Sequence, residues 1–147
     1  MKLHTASETI SFAKELESES AKLYQDLSQR YDGDQDVFLS FVKVNGKNSL
    51  QIERAYYGVI TDAIEGCFAF DIEPGDYTFE IALAEGASYS DALGKAVDIE
   101  GKMIKFYTDA AEQSKSLMAD VPRTFTIIAK KRNDRIAKLK SLAEKRG

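Results

Sequence analysis

One cysteine, one histidine and two prolines are spread over 147 residues, and each scarcity closes off a class of protein. A single Cys67 permits neither a disulfide framework nor a Cys-x-x-Cys metal knuckle within one chain. The only histidine, His4, stands ahead of the first helical pattern, so no imidazole falls along the helices. No apolar run approaches membrane-spanning length, and the opening MKLHTASETI is too polar for a secretory signal. The expectation is therefore a cytoplasmic protein without a membrane partner. A strong overall charge is missing too: the net charge of −4 argues neither for nor against a charged partner. What is present, 44% hydrophobic and 30% charged residues, is the profile of one soluble domain spanning 1–147, long enough to bury its own core.

Charge is unevenly placed. Residues 130–147 hold eight Lys/Arg against Asp134 and Glu144, so this segment is +6 and the remainder −10. A solvated helix face is the ordinary reading of such a run. Anion or nucleic-acid binding is the sharper one, and it lacks the interleaved aromatics that base stacking needs.

Four helical patterns follow one another. Thr5-x-x-Glu8 can form a capping box, and Ala13, Leu16, Ser20, Leu23 and Leu27 step by three and four, which predicts a helix over about 6–30. Tyr31-Asp-Gly-Asp stops it and offers Asp32 and Asp34 as caps for the next. From Val37 to about Ile64 two signals compete. Asn45-Gly46 is a hairpin signal, whereas Phe38, Phe41, Asn45, Asn48, Ile52, Ala55 and Val59 form an unbroken helical stripe. The stripe explains more residues and predicts a helix weakened or kinked at Gly46. Residues 66–87 read as a long connection turning at Pro74-Gly75. Ser88-x-x-Asp91 then opens a third helix with Leu93, Ala96, Ile99, Met103, Phe106 and Ala110 on one face. Asp120, as N-cap, and Pro122 open a fourth, carrying Phe125, Ile128, Ile136, Leu139 and Leu142. Two helix pairs joined by a long crossover predict an all-α four-helix bundle.

The first and third patterns share a motif. Glu17 precedes Tyr24 by seven residues, as Glu100 precedes Tyr107, and seven residues is two turns along one helix face. A shift of 83 residues superposes Ala13, Glu17, Lys22, Tyr24 and Asp26 on Ala96, Glu100, Lys105, Tyr107 and Asp109. A shift of 87 superposes Phe38 on Phe125 and Lys43 on Lys130.

With these features the chain resembles the rubrerythrin branch of the ferritin-like superfamily over nearly its whole length. The resemblance implies a ferritin-like bundle, self-association as a homo-oligomer such as a dimer, and a di-iron cofactor. In that family two helices each give a Glu, and the other two each give a Glu-x-x-His. Glu17 and Glu100 match the lone glutamates, with Tyr24 and Tyr107 as second-shell positions. The facing helices depart from the pattern, holding Asn45-Gly-Lys-Asn48 and Arg132-Asn-Asp-Arg135. Asn is a poor iron ligand and Arg has no lone pair to donate. The expectation is a degenerate di-iron site with no metal, no cofactor and no catalytic residue, its remnant positions being Glu17, Asn45, Asn48, Glu100, Arg132 and Arg135.

Two carboxylates facing each other in a bundle without metal would repel and be poorly solvated. Arg132 and Arg135 stand where inward ligands belong, so a guanidinium paired with Glu17 and Glu100 is one expectation. The other is that both arginines snorkel to the surface and the glutamates are wet. Tyr24 and Tyr107 are expected as core packers with satisfied hydroxyls, and the crossover aromatics Phe68, Phe70, Tyr77 and Phe79 as a cover over the bundle. Three functions compete on these grounds. The favoured one is a non-catalytic binding or assembly module. The alternatives are a metal-binding oxidoreductase with a non-standard site at Glu17 and Glu100, helped by Glu53 or Asp62, and an anion or nucleic-acid binder acting through the basic fourth helix.

Overall fold

The computed structural model describes residues 2–59, 68–115 and 120–146. In chain order the elements are strand β1 (Leu3–Thr5), helix α1 (Ala6–Arg30), helix α2 (Gln35–Val59), strand β2 (Phe68–Ile72), helix α3 (Tyr89–Ser114) and helix α4 (Asp120–Arg146). A 3-10 turn occupies Pro74–Asp76. Cys67 and Asp62 lie outside the described residues.

Local signals decide where the helices begin. Thr5 and Glu8 close a reciprocal capping box at α1, and Ser88 and Asp91 do the same at α3. Asp34 directly precedes α2, whose first turn returns the Val37 and Phe38 amides to the Asp34 carbonyl. Asp120 is itself the first residue of α4 rather than its cap, a shift of one position. α2 runs through Asn45-Gly46 without interruption, so no hairpin forms there. Gly46 has ordinary helical dihedrals and open space around it, so the helix tolerates it at a propensity cost.

The helices pack α1 against α2 and α3 against α4, while α2 with α4 and α1 with α3 close the interior. All five residues of the α1 stripe and all six of the α3 stripe are buried. Aromatic rings fill one end of this core, with Phe106 meeting Phe12, Tyr77, Tyr107 and Phe125 at centroid distances of 5.2–6.3 Å.

The connection after α2 is not simply a loop. β2 pairs antiparallel with β1, Leu3 opposite Ile72 and Thr5 opposite Phe68, and the small sheet lies on α1 and α3. His4 is held there, its Nδ1 3.2 Å from the Phe70 carbonyl. Phe70 and Tyr77 are buried and Phe79 packs partly against the core. Three residues of β1 are too few to show a strand periodicity, which is why the pairing left no trace in the sequence pattern. Among the described residues no helix is long and apolar enough to cross a membrane.

Candidate functional site

The eight residues singled out by the repeat and its departures meet in one place. Glu17 and Tyr24 come from α1, Asn45 and Asn48 from α2, Glu100 and Tyr107 from α3, Arg132 and Arg135 from α4, and every one is buried. Helical spacing explains the convergence. Each pair or motif sits on the stripe its helix turns inward, so polar residues at those positions must be buried with the apolar ones.

Arg132, with no exposed surface, holds the centre. Its Nη1 donates to both oxygens of Glu100, at 2.8 and 2.7 Å, and its Nη2 donates to Glu17 Oε2 at 2.7 Å. Arg135 supplies the second positive charge. Its Nη1 lies 3.3 Å from Glu100 Oε1 and 2.9 Å from Asn45 Oδ1, while its Nη2 donates to the Phe41 carbonyl at 3.2 Å. The Arg135 guanidinium also lies over the rings of Phe41 and Tyr24, 4.6 and 5.2 Å from their centroids. Neither arginine snorkels, so the expectation of wet glutamates and surface guanidinia is corrected. Two carboxylates face two guanidinia, and burial without such pairing would cost several kcal/mol per charge.

The tyrosines complete the carboxylate shells, but across the helices rather than along them. Tyr24 of α1 donates to Glu100 Oε1 at 2.7 Å, and Tyr107 of α3 donates to Glu17 Oε2 at 2.5 Å. The seven-residue spacing therefore works by exchange between two equivalent helices, with each phenol serving the other helix's glutamate. This crossing was not legible in the sequence; the 83-residue superposition showed only that the two helices are equivalent. From α2, Asn48 donates to Glu17 Oε1 at 3.3 Å and Asn45 to the Glu17 carbonyl at 2.9 Å.

Burial and the neighbouring charges act on the two phenols and on Arg132. Burial, reinforced by the charge of Glu100, pushes the Tyr24 phenol well above its ordinary range. Burial and Glu17 do the same to Tyr107. For Arg132 burial opposes the charge, yet Glu17 and Glu100 together outweigh it and hold the guanidinium above its usual range. Both phenols and Arg132 thus remain donors at any physiological pH. All four carboxylate oxygens accept at least one hydrogen bond, and both glutamates are at most 1% exposed. Such an arrangement offers no solvent-reached base, and the lone pairs left on Glu17 Oε1 and Glu100 Oε2 are buried with their side chains. It also leaves Ser20 Oγ, Asn48 Oδ1 and Arg132 Nε without partners among the described residues. Each such atom costs about 1–3 kcal/mol, so the cluster specifies an arrangement more than it adds stability.

Other candidates lie elsewhere. Glu53 is ion-paired with Lys14 at the partly exposed α1–α2 seam. Among the described residues no group of three or more His, Cys, Asp or Glu side chains is placed to hold a metal ion. Two further tyrosines, Tyr77 of the expected cover and Tyr89, which the sequence did not single out, tie the crossover and the helix link to the core: Tyr77 donates to Asp109 at 2.6 Å and Tyr89 to Asp34 at 2.5 Å. No family model, no curated protein and no solved structure matches the chain.

Proposed function

We propose that this chain is a ferritin-like protein whose di-iron site has been replaced by an internal ion-pair cluster, and that it acts without catalysis as a self-associating binding or assembly module. The single observation carrying this reading is the Arg132 guanidinium between Glu17 and Glu100. In this reading the arginine's charge stands where metal charge balances the glutamates in rubrerythrin-like proteins. The reciprocal Tyr24–Glu100 and Tyr107–Glu17 bonds support descent from a duplicated helix pair. A metal-dependent oxidoreductase at the same glutamates is disfavoured because their oxygens are already engaged by Arg, Tyr and Asn donors.

The test is elemental analysis of protein produced in medium supplied with iron, manganese and zinc, with melting measured before and after chelation. The expected result is metal far below one ion per chain and an unchanged melting temperature. Stoichiometric metal that disappears in Glu17→Ala/Glu100→Ala would overturn the proposal.

A further inference from the structure

α2 and α4 border a groove of about 350 Å³ on the outer side of Arg135, within the range of small-molecule sites. Its floor is the half-buried Phe41 and Val44. Its rim is cationic: Lys47, Lys131 and Lys138 are exposed, none has an ion-pair partner among the described residues, and Asp134 is the only acid lining the groove. Arg135, 5% exposed, forms part of the wall. A guanidinium has five N–H groups. The bonds to Asn45, Glu100 and Phe41 use three, which leaves Nε–H and one hydrogen of Nη2 without an acceptor among the described residues. Arg135 therefore keeps spare donors where it lines an apolar trough with an ammonium rim.

We propose that this groove binds an aliphatic monocarboxylate, its headgroup taken by Arg135 and the rim lysines and its chain laid on Phe41 and Val44. A guanidinium edge matches the two oxygens of a carboxylate. The lysine stems extend the apolar surface, which an inorganic anion would not use. Nucleic acid fits less well, because Phe41 is the only aromatic among the lining residues and Arg135 already lies over its ring, whereas base binding uses successive stacking rings. The site stands apart from the proposed function: it needs only the groove and Arg135, whatever the origin of the buried cluster.

The experiment is calorimetric titration of the full chain with hexanoate, octanoate and decanoate below their micellar concentrations. 1-Octanol, inorganic phosphate and a single-stranded oligothymidylate serve as comparison probes. One carboxylate should bind per chain, tightening about fourfold for each added methylene until the trough is filled. Octanol and phosphate should each bind at least about tenfold more weakly than octanoate. Lys47→Glu/Lys138→Glu changes only exposed side chains and should keep the circular dichroism of the parent while losing octanoate binding by about tenfold or more. Absence of saturable binding would overturn the proposal, as would octanol or phosphate matching octanoate. So would an unaffected lysine variant, or oligothymidylate displacing octanoate from the groove.

Discussion

At the scale of single residues, Arg132 distinguishes a charge that is needed from one that merely fills space. Removing it leaves Glu17 without a cation and Glu100 with Arg135 alone, and an uncompensated buried charge costs about 3–5 kcal/mol. Arg132→Ala should therefore lower unfolding free energy by about that amount in urea titration. Arg132→Met combined with Glu17→Gln removes one charge of each sign and leaves Glu100 paired with Arg135, so its loss should be distinctly smaller. Equal losses in the two variants would contradict the balance of charge. The phenols allow a second comparison. Tyr24→Phe and Tyr107→Phe each delete one bond to a carboxylate, and each should cost about 1.5–3 kcal/mol, with the two values similar because the contacts are reciprocal. Double-mutant cycles of each tyrosine with its glutamate would show the coupling running from α1 to α3; coupling to the glutamate of the same helix would contradict the crossing.

At the scale of elements, α2 carries the sharpest prediction. In a hairpin the glycine of Asn45-Gly46 would be needed for its backbone freedom, whereas in a continuous helix it is only a weak helix former. Because a Cβ at Gly46 meets nothing within 4 Å, Gly46→Ala should stabilise the protein by about 0.4–1 kcal/mol in thermal or urea unfolding. A loss instead would mean that the chain does not run helically through Asn45. The same helix shows what was legible beforehand and why. Its stripe placed Asn45 and Asn48 inward because a helix repeats its face every three to four residues whatever the side chain's polarity. The charge run of α4 was legible as a run but not as two populations. Arg132 and Arg135 turn inward while Lys131 and Lys138 turn outward, and the 87-residue shift onto the α2 stripe hinted at the difference. The β1–β2 sheet was missed because its pairing partners lie far apart in sequence and β1 is too short for a period to show, leaving the alternation of Phe68-Ala-Phe-Asp-Ile72 without a visible partner. Nor could the sequence say which glutamate each tyrosine serves, because the answer depends on how two helices face each other.

At the scale of the whole molecule, the buried cluster joins all four helices, so opening it to water requires the helices to part. The tyrosines make this measurable through pH. A phenol in the unfolded chain loses its proton near its ordinary pKa of 10, whereas Tyr24 and Tyr107 in the folded chain are held well above it, first by burial and then by the adjacent Glu100 and Glu17. Below pH 10 both states are protonated and the pair adds no pH dependence. Above it the unfolded state binds fewer protons than the native state, so stability falls as pH rises. The limiting slope for two such groups is roughly 3 kcal/mol per pH unit. Two consequences can be checked in one alkaline titration followed by phenolate absorbance and circular dichroism. Tyr24 and Tyr107 should ionise only together with loss of helix. Tyr24→Phe/Tyr107→Phe should begin less stable at neutral pH yet lose stability less steeply above pH 10. A double variant with the parent's alkaline slope would mean that the phenols are reached by solvent in the folded state, and that the cluster does not close the interior as its geometry requires.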